Sequence, residues 1–194
     1  MTPPAAAPSL ALLLTPGAGS GREHPTLVAV EAAAGLPTAR IDFWYRRQGR
    51  RAPDRAPKLV ACVIEEAAAL VAAAGIAPEG LVLGGRSMGG RICSMAVAAG
   101  LPAAGLVLIS YPLHPPGRPD RLRVEHFEGL RVPCLFVSGT RDAFASPAEL
   151  TEHAGAIGGP VTHEWLEGCG HELKGRDDEV AAAVRAWLRG LSAR

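Results

Sequence analysis

The chain has 194 residues with 48% hydrophobic and 20% charged, which fits one globular domain with a sizeable core and excludes wholesale disorder. Its formal net charge of +1 gives no global attraction to nucleic acid or an anionic membrane surface. Four cysteines, Cys62, Cys93, Cys134 and Cys169, show no CxxC pairing, so neither a disulfide scaffold nor a zinc ribbon is expected. Their apolar neighbourhoods suit buried free thiols of a reducing, cytoplasmic setting.

Two uncharged stretches are read as soluble. Met1 to Gly21 is interrupted by Pro3, Pro4, Pro8 and Pro16 and lacks a basic leader. Ile92 to Leu113 is long enough for a bilayer, but Gly100, Pro102 and Gly105 divide it into a buried helix, a turn and a buried strand.

Strand and helix patterns then alternate. Leu10–Leu14 is a short continuous apolar run of the kind covered on both faces of a parallel sheet. His24–Ala34 predicts a helix closed by Gly35. Ala39–Tyr45 predicts the second strand, and Pro57–Ala74 a long helix closed by Gly75. Leu81-Val-Leu83 is the centre of the third strand, followed by a helix over Met88–Ala99. Leu106–Ser110 and Pro133–Ser138 supply the fourth and fifth strands. Ser146-Pro-Ala-Glu149 has capping-box spacing and opens a helix expected to end at Gly158-Gly159. Val161–Leu166 is the sixth strand. Asp177-Asp-Glu179 starts a last helix whose Val180, Val184, Trp187, Leu188 and Leu191 form one apolar stripe, read as core. This order predicts a single α/β domain over residues 1–194, with a six-stranded, mainly parallel sheet and helices on both faces. Ligands of such sheets bind beyond the carboxyl ends of the strands, so chemistry is sought in the loops there.

The third such loop reads Leu83-Gly-Gly-Arg-Ser-Met-Gly-Gly90 and contains G-x-S-x-G as Gly85, Ser87 and Gly89. Strand before and helix after is the context that motif requires, because the serine must project from a sharp turn whose flanks approach too closely for side chains. A phosphate loop is disfavoured: the Lys-Ser/Thr ending and the G-x-G-x-x-G spacing are both absent. A serine nucleophile needs a base and an orienting carboxylate, in chain order Ser, Asp or Glu, His. Asp142 follows the fifth strand and His171 the sixth, in that order. Asp142 could instead cap a turn, although Ser146 is the better cap, and His171 could be a surface histidine. Backbone donors for a developing oxyanion are expected at Met88, after the serine, and at Ala18, in the loop after the first strand.

Arg86 and Arg141 each precede a proposed triad member, and they either buttress loops or contact a substrate carboxylate. His114 is a candidate substrate contact beside the plainer reading of a solvated loop. Arg46, Arg47, Arg50, Arg51 and Arg55 cluster after the second strand, as a solvated loop or as a selector of anionic substrates.

The segments Leu14–Gly21, Gly84–Arg91, Tyr111–Gly117 and Gly139–Phe144 resemble the α/β-hydrolase superfamily, and more narrowly its small dienelactone-hydrolase-like members and the testis-expressed and non-specific-lethal-complex hydrolase-like group. The resemblance implies Ser87 as nucleophile, Asp142 as acid and His171 as base. Dienelactone hydrolases carry a cysteine where Ser87 stands, so that activity is not implied. The expectation is a serine esterase without a cap domain, cofactor or metal, acting on a small soluble ester or thioester. The alternative is an interaction module on a hydrolase scaffold. Oligomeric state is not legible.

Overall fold

The computed structural model describes residues 9–192; residues 1–8, including Pro3, Pro4 and Pro8 of the uncharged first stretch, lie outside the described residues, as do 193 and 194. The strands are β1 (Ala11–Thr15), β2 (Thr38–Arg40), β3 (Leu81–Arg86), β4 (Gly105–Ile109), β5 (Cys134–Gly139) and β6 (Val161–Leu166). The helices are α1 (Pro25–Ala34), α2 (Trp44–Arg47), α3 (Ala56–Ala74), α4 (Met88–Ala98), α5 (Pro147–Ala154) and α6 (Asp177–Ser192). All strands pair in parallel in the order β2-β1-β3-β4-β5-β6.

Alternate strand residues feed two cores. Leu13, Leu83, Leu108 and Phe136 point to one face, and Leu12, Val82, Val107 and Leu135 to the other. The first face is covered by α3, α4 and α5, through Leu59, Val63, Ile92, Ala96 and Leu150. The second is covered by α1 and α6, through Leu27, Val30, Val180, Val184 and Leu188. The central strands β1, β3, β4 and β5 are buried throughout, which explains why their sequences read as unbroken apolar runs. Cys62, Cys93 and Cys134 are buried free thiols, and Cys169 is half-buried. Among the described residues no helix is long and apolar enough to cross a membrane.

Two elements differ from the sequence reading. The second strand ends at Arg40, and Trp44–Arg47 is a helical turn. Phe43 and Tyr45 are fully buried on either side of Trp44, a pattern that alternates like a strand although the backbone has left the sheet. The helix opened by Ser146 stops at Ala154, with Gly155 as its cap, short of Gly158-Gly159. Its capping box is complete: Ser146 Oγ accepts from the Glu149 N–H at 3.3 Å, and the Glu149 carboxylate accepts from the Ser146 N–H at 2.9 Å.

After β1 the chain runs outward to β2, and it then returns to add β3 on the other side of β1. The carboxyl ends of β1 and β3 therefore flank the point where strand order reverses, where open parallel sheets hold their ligands.

Candidate active site

Thr15 at the end of β1 lies in register with Gly85 of β3. The chain beyond Thr15 forms the Pro16–Ser20 loop, and the chain beyond Gly85 turns through Ser87 into α4. Ser87 has φ 52 and ψ −119, a backbone state that non-glycine residues rarely adopt. Its N–H donates to the Ile109 carbonyl at 2.8 Å, which ties the turn to β4. The flanking glycines are required by space. A Cβ on Gly89 would stand 2.5 Å from the Thr15 carbonyl oxygen and 2.6 Å from that of Pro16, and one on Gly85 would collide with Thr15 Oγ1 and the backbone of Gly89 and Gly90.

The turn projects the Ser87 hydroxyl toward the loop after β6. Ser87 Oγ lies 2.8 Å from His171 Nε2. His171 Nδ1 lies 3.0 and 2.9 Å from the two carboxylate oxygens of Asp142. This arrangement places the proton on Nδ1 and leaves Nε2 free to accept from the serine. The Asp142 side chain is fully buried, and that of His171 is 13% exposed. Asp142 Oδ1 also accepts from the Phe144 N–H at 2.8 Å, so the carboxylate shapes its own loop as well as facing the histidine.

Ser87 and His171 line a cleft of about 680 Å³ together with Gly17, Ala18, His24, Met88, Arg91, Arg123, Phe144 and Glu172, while the buried Asp142 stays outside the lining. No hydrogen bond among the described residues occupies the Ala18 or Met88 N–H. Met88 opens α4, so the positive end of that helix meets the cleft beside Ser87. Tyr45, buried in the turn after β2, donates its hydroxyl to the Ala18 carbonyl at 3.0 Å and so braces the loop that carries the Ala18 N–H. The segment 112–131 gives the cleft only Pro112 and Arg123, while its Leu113, Phe127 and Leu130 are buried in the core. It forms one wall of the cleft and does not cover it.

Of the candidate contacts, Arg86 reaches the site and the other two do not. Arg86 is nearly buried; its Nη2 lies 2.7 Å from Glu172 Oε2 and donates to the His171 carbonyl at 3.3 Å. The Arg86 hydrogen bond, together with its charge, holds the Glu172 carboxyl below the usual carboxylate range. His114 is buried away from the cleft, with Nδ1 against the Pro115 carbonyl and Nε2 3.6 Å from Glu149. Its backbone N–H donates to the Phe144 carbonyl at 3.1 Å, so it supports the Asp142 loop and does not face substrate. Arg141 is exposed, anchors its backbone to Cys169 and stays outside the lining. The arginine cluster after β2 also stays out, with Arg47 paired to Glu66 at 2.5 Å and Arg50 to Asp54 at 2.9 Å.

Several cleft residues escaped the sequence reading. His24 caps α1, accepting from the Thr26 N–H at 3.3 Å, and burial pushes its imidazole down. Phe144 and Glu172 follow Asp142 and His171 by two residues and one, a proximity that could have flagged them. Arg91 stands one helical turn after Ser87, a spacing that puts both on one face of α4. Arg123 carries no local signal. Among the described residues no group of three or more His, Cys, Asp or Glu gathers as a metal site.

A parallel sheet with helices on both faces, and a serine held at positive φ between a central strand and a helix at the reversal of strand order, define the α/β-hydrolase class. A family model described as "Alpha/beta hydrolase domain" matches residues 8–189, and the chain belongs to that family. Solved structures share the fold at low identity. An alpha-beta serine hydrolase homologue from Coxiella burnetii aligns with a TM-score of 0.76 at 19% identity, covering 92% of this chain and 85% of that one. Est1E from Butyrivibrio proteoclasticus aligns at 0.79 and 13% identity, covering 97% and 90%. A dienelactone hydrolase from Anabaena variabilis aligns at 0.74 and 19% identity, covering 95% and 88%.

Proposed function

We propose that this α/β hydrolase is a serine hydrolase that cleaves an ester or thioester of a small soluble substrate. The observation that carries the reading is the 2.8 Å approach of Ser87 Oγ to His171 Nε2, from a backbone that points the hydroxyl into the cleft.

His171 Nε2 takes the Ser87 proton as Oγ attacks the carbonyl carbon. The carbonyl oxygen becomes an oxyanion facing the Ala18 and Met88 N–H groups. Asp142 stabilises the imidazolium through Nδ1. Collapse of the tetrahedral intermediate breaks the bond to the leaving oxygen or sulfur, which takes its proton from Nε2. A water then gives a proton to His171 and attacks the acyl-serine, releasing the acid and restoring Ser87. Each turnover consumes one water and needs no redox partner. The uncovered cleft supports a small substrate over one drawn into an enclosed tunnel.

Fluorophosphonate labelling tests the reading. Labelling of the folded protein that disappears in Ser87→Ala is the expected result. Folded wild-type protein that resists labelling and hydrolyses no aryl ester overturns it, and would favour an interaction role for the scaffold.

A further inference from the structure

Two arginines face the cleft without the carboxylate partners that neutralise Arg40, Arg47, Arg50 and Arg86. Arg91 projects from the first turn of α4; its N–H donates to the Ser87 carbonyl at 3.2 Å, so it stands about 6 Å along the helix from Ser87. Its Nε is buried and lacks a hydrogen-bond partner among the described residues. Arg123 comes from the 112–131 segment, and both of its backbone groups are pinned. Its N–H donates to the Leu113 carbonyl at 2.9 Å, and its carbonyl accepts from the buried Tyr111 hydroxyl at 2.8 Å. Neither arginine has a carboxylate within ion-pair distance among the described residues.

The two guanidinium groups also feel each other. After burial, the charge of Arg91 is the main influence that lowers the affinity of Arg123 for its proton. Arginine does not shed that proton in a protein, so the repulsion persists until an anion relieves it. Two partly desolvated guanidinium groups lining one cleft, one with a buried donor that lacks a partner among the described residues, are suited to a planar oxyanion. In the same cleft lining, Glu172 is held ionised by Arg86. That opposing charge disfavours a dianionic phosphate more than a singly charged carboxylate.

We infer that Arg91 and Arg123 form a subsite for a carboxylate carried by the substrate, so that the preferred ester is an anionic one. This rests on the reading of Ser87 as nucleophile, because the subsite is defined by its place beside that residue. The anionic selectivity that the sequence suggested for the loop after β2 belongs instead to this part of the cleft lining.

Matched substrates test it. The mono-4-nitrophenyl ester of glutarate is compared with 4-nitrophenyl pentanoate, which places the charge on the acyl side. The 4-acetoxybenzoate anion is compared with its methyl ester, which places it on the leaving side. In at least one pair the wild-type protein should favour the carboxylate form in kcat/KM by about tenfold, and added salt should reduce that preference. In Arg91→Gln and Arg123→Gln, checked for folding by thermal melt, the ratio should fall toward one. A ratio near or below one in both pairs for the wild-type protein, or a ratio unchanged in both variants, overturns the inference. Failure of the serine-hydrolase reading is separable: with no labelling and no hydrolysis, calorimetric titration with glutarate still reports on the subsite. Binding to the wild-type protein that is lost in the double variant supports the subsite, and no binding overturns it.

Discussion

The Phe144 ring lies on the imidazole of His171, with centroids 4.0 Å apart and planes 30° from parallel. The same loop supplies Asp142, whose carboxylate meets His171 Nδ1 from the other direction and also fixes the Phe144 N–H. Asp142 and Phe144 therefore act as one clamp on His171. Phe144→Ala should leave the hydrogen bonds intact but widen the range of imidazole orientations. We expect kcat to fall about three- to tenfold with KM little changed. An equal change in KM alone would show that Phe144 acts only on the substrate.

Asp142→Asn separates charge from shape. The amide oxygen can still accept from the Phe144 N–H, so the loop and the fold should persist. On the proposed mechanism the variant loses the negative charge that stabilises the imidazolium and favours the wrong histidine tautomer. A fall in kcat of about 10³–10⁴ is expected in ester hydrolysis, as for other Ser-His-Asp sites. Activity within tenfold of wild type would remove Asp142 from the catalytic group.

The turn at Ser87 tolerates no methyl group at Gly89, whose added Cβ would press on the backbone of Thr15 and Pro16. Gly89→Ala should cost about 3 kcal/mol in denaturant unfolding. Gly19 is the control, since a Cβ there meets nothing within 4 Å, and Gly19→Ala should stay within about 0.5 kcal/mol.

Arg86 lies beneath both the β1 loop and the β6 loop. Its Nη1 would stand 3.3 Å from a Cβ at Gly17, and its Nη2 holds the His171 carbonyl and Glu172. It is a positioning residue. Arg86→Met should lower kcat about tenfold with a smaller effect on KM, and Arg86→Lys should restore part of the loss because one donor can still reach the pair. A loss of stability with kcat unchanged would show that Arg86 serves packing alone.

His126 should set part of the acid sensitivity. Burial, and then the charge of Arg91, push its imidazole down to about 4. Ser94 Oγ donates to the Arg91 carbonyl at 2.8 Å and accepts the His126 Nε2 proton at 2.7 Å, a bond that either form of the ring can make, so burial and the Arg91 charge set the preference for the neutral ring. Between about pH 6.5 and pH 4 the unfolded chain binds a proton there that the folded protein refuses, so stability falls as pH falls through that window. The contribution is about 1–2 kcal/mol after allowance for partial solvent contact. In His126→Gln the slope of unfolding free energy against pH should flatten over that window, and an unchanged slope would contradict the assignment.

The layered α/β architecture and the strand–turn–helix around Ser87 are legible in the amino-acid order alone. Buried parallel strands must be apolar on both faces, and the tight turn at Ser87 leaves no room for a Cβ at Gly85 or Gly89; both demands act on neighbouring residues and leave a local pattern. Asp142 and His171 were legible by the same logic, because each follows a strand and the strands deliver them to one end of the sheet. The boundary of β2 was not legible, since Phe43 and Tyr45 are buried in alternation whether the backbone is extended or turned. Which arginines face the cleft depends on packing between distant segments. Arg46, Arg47 and Arg50 are crowded together in sequence but stand outside the cleft, Arg47 and Arg50 on carboxylates. Arg91 and Arg123 are far apart in the chain, and the packing of the 112–131 segment beside α4 brings both to the cleft wall beside Ser87. Charge pairing depends on distance in space, which composition and local spacing do not carry.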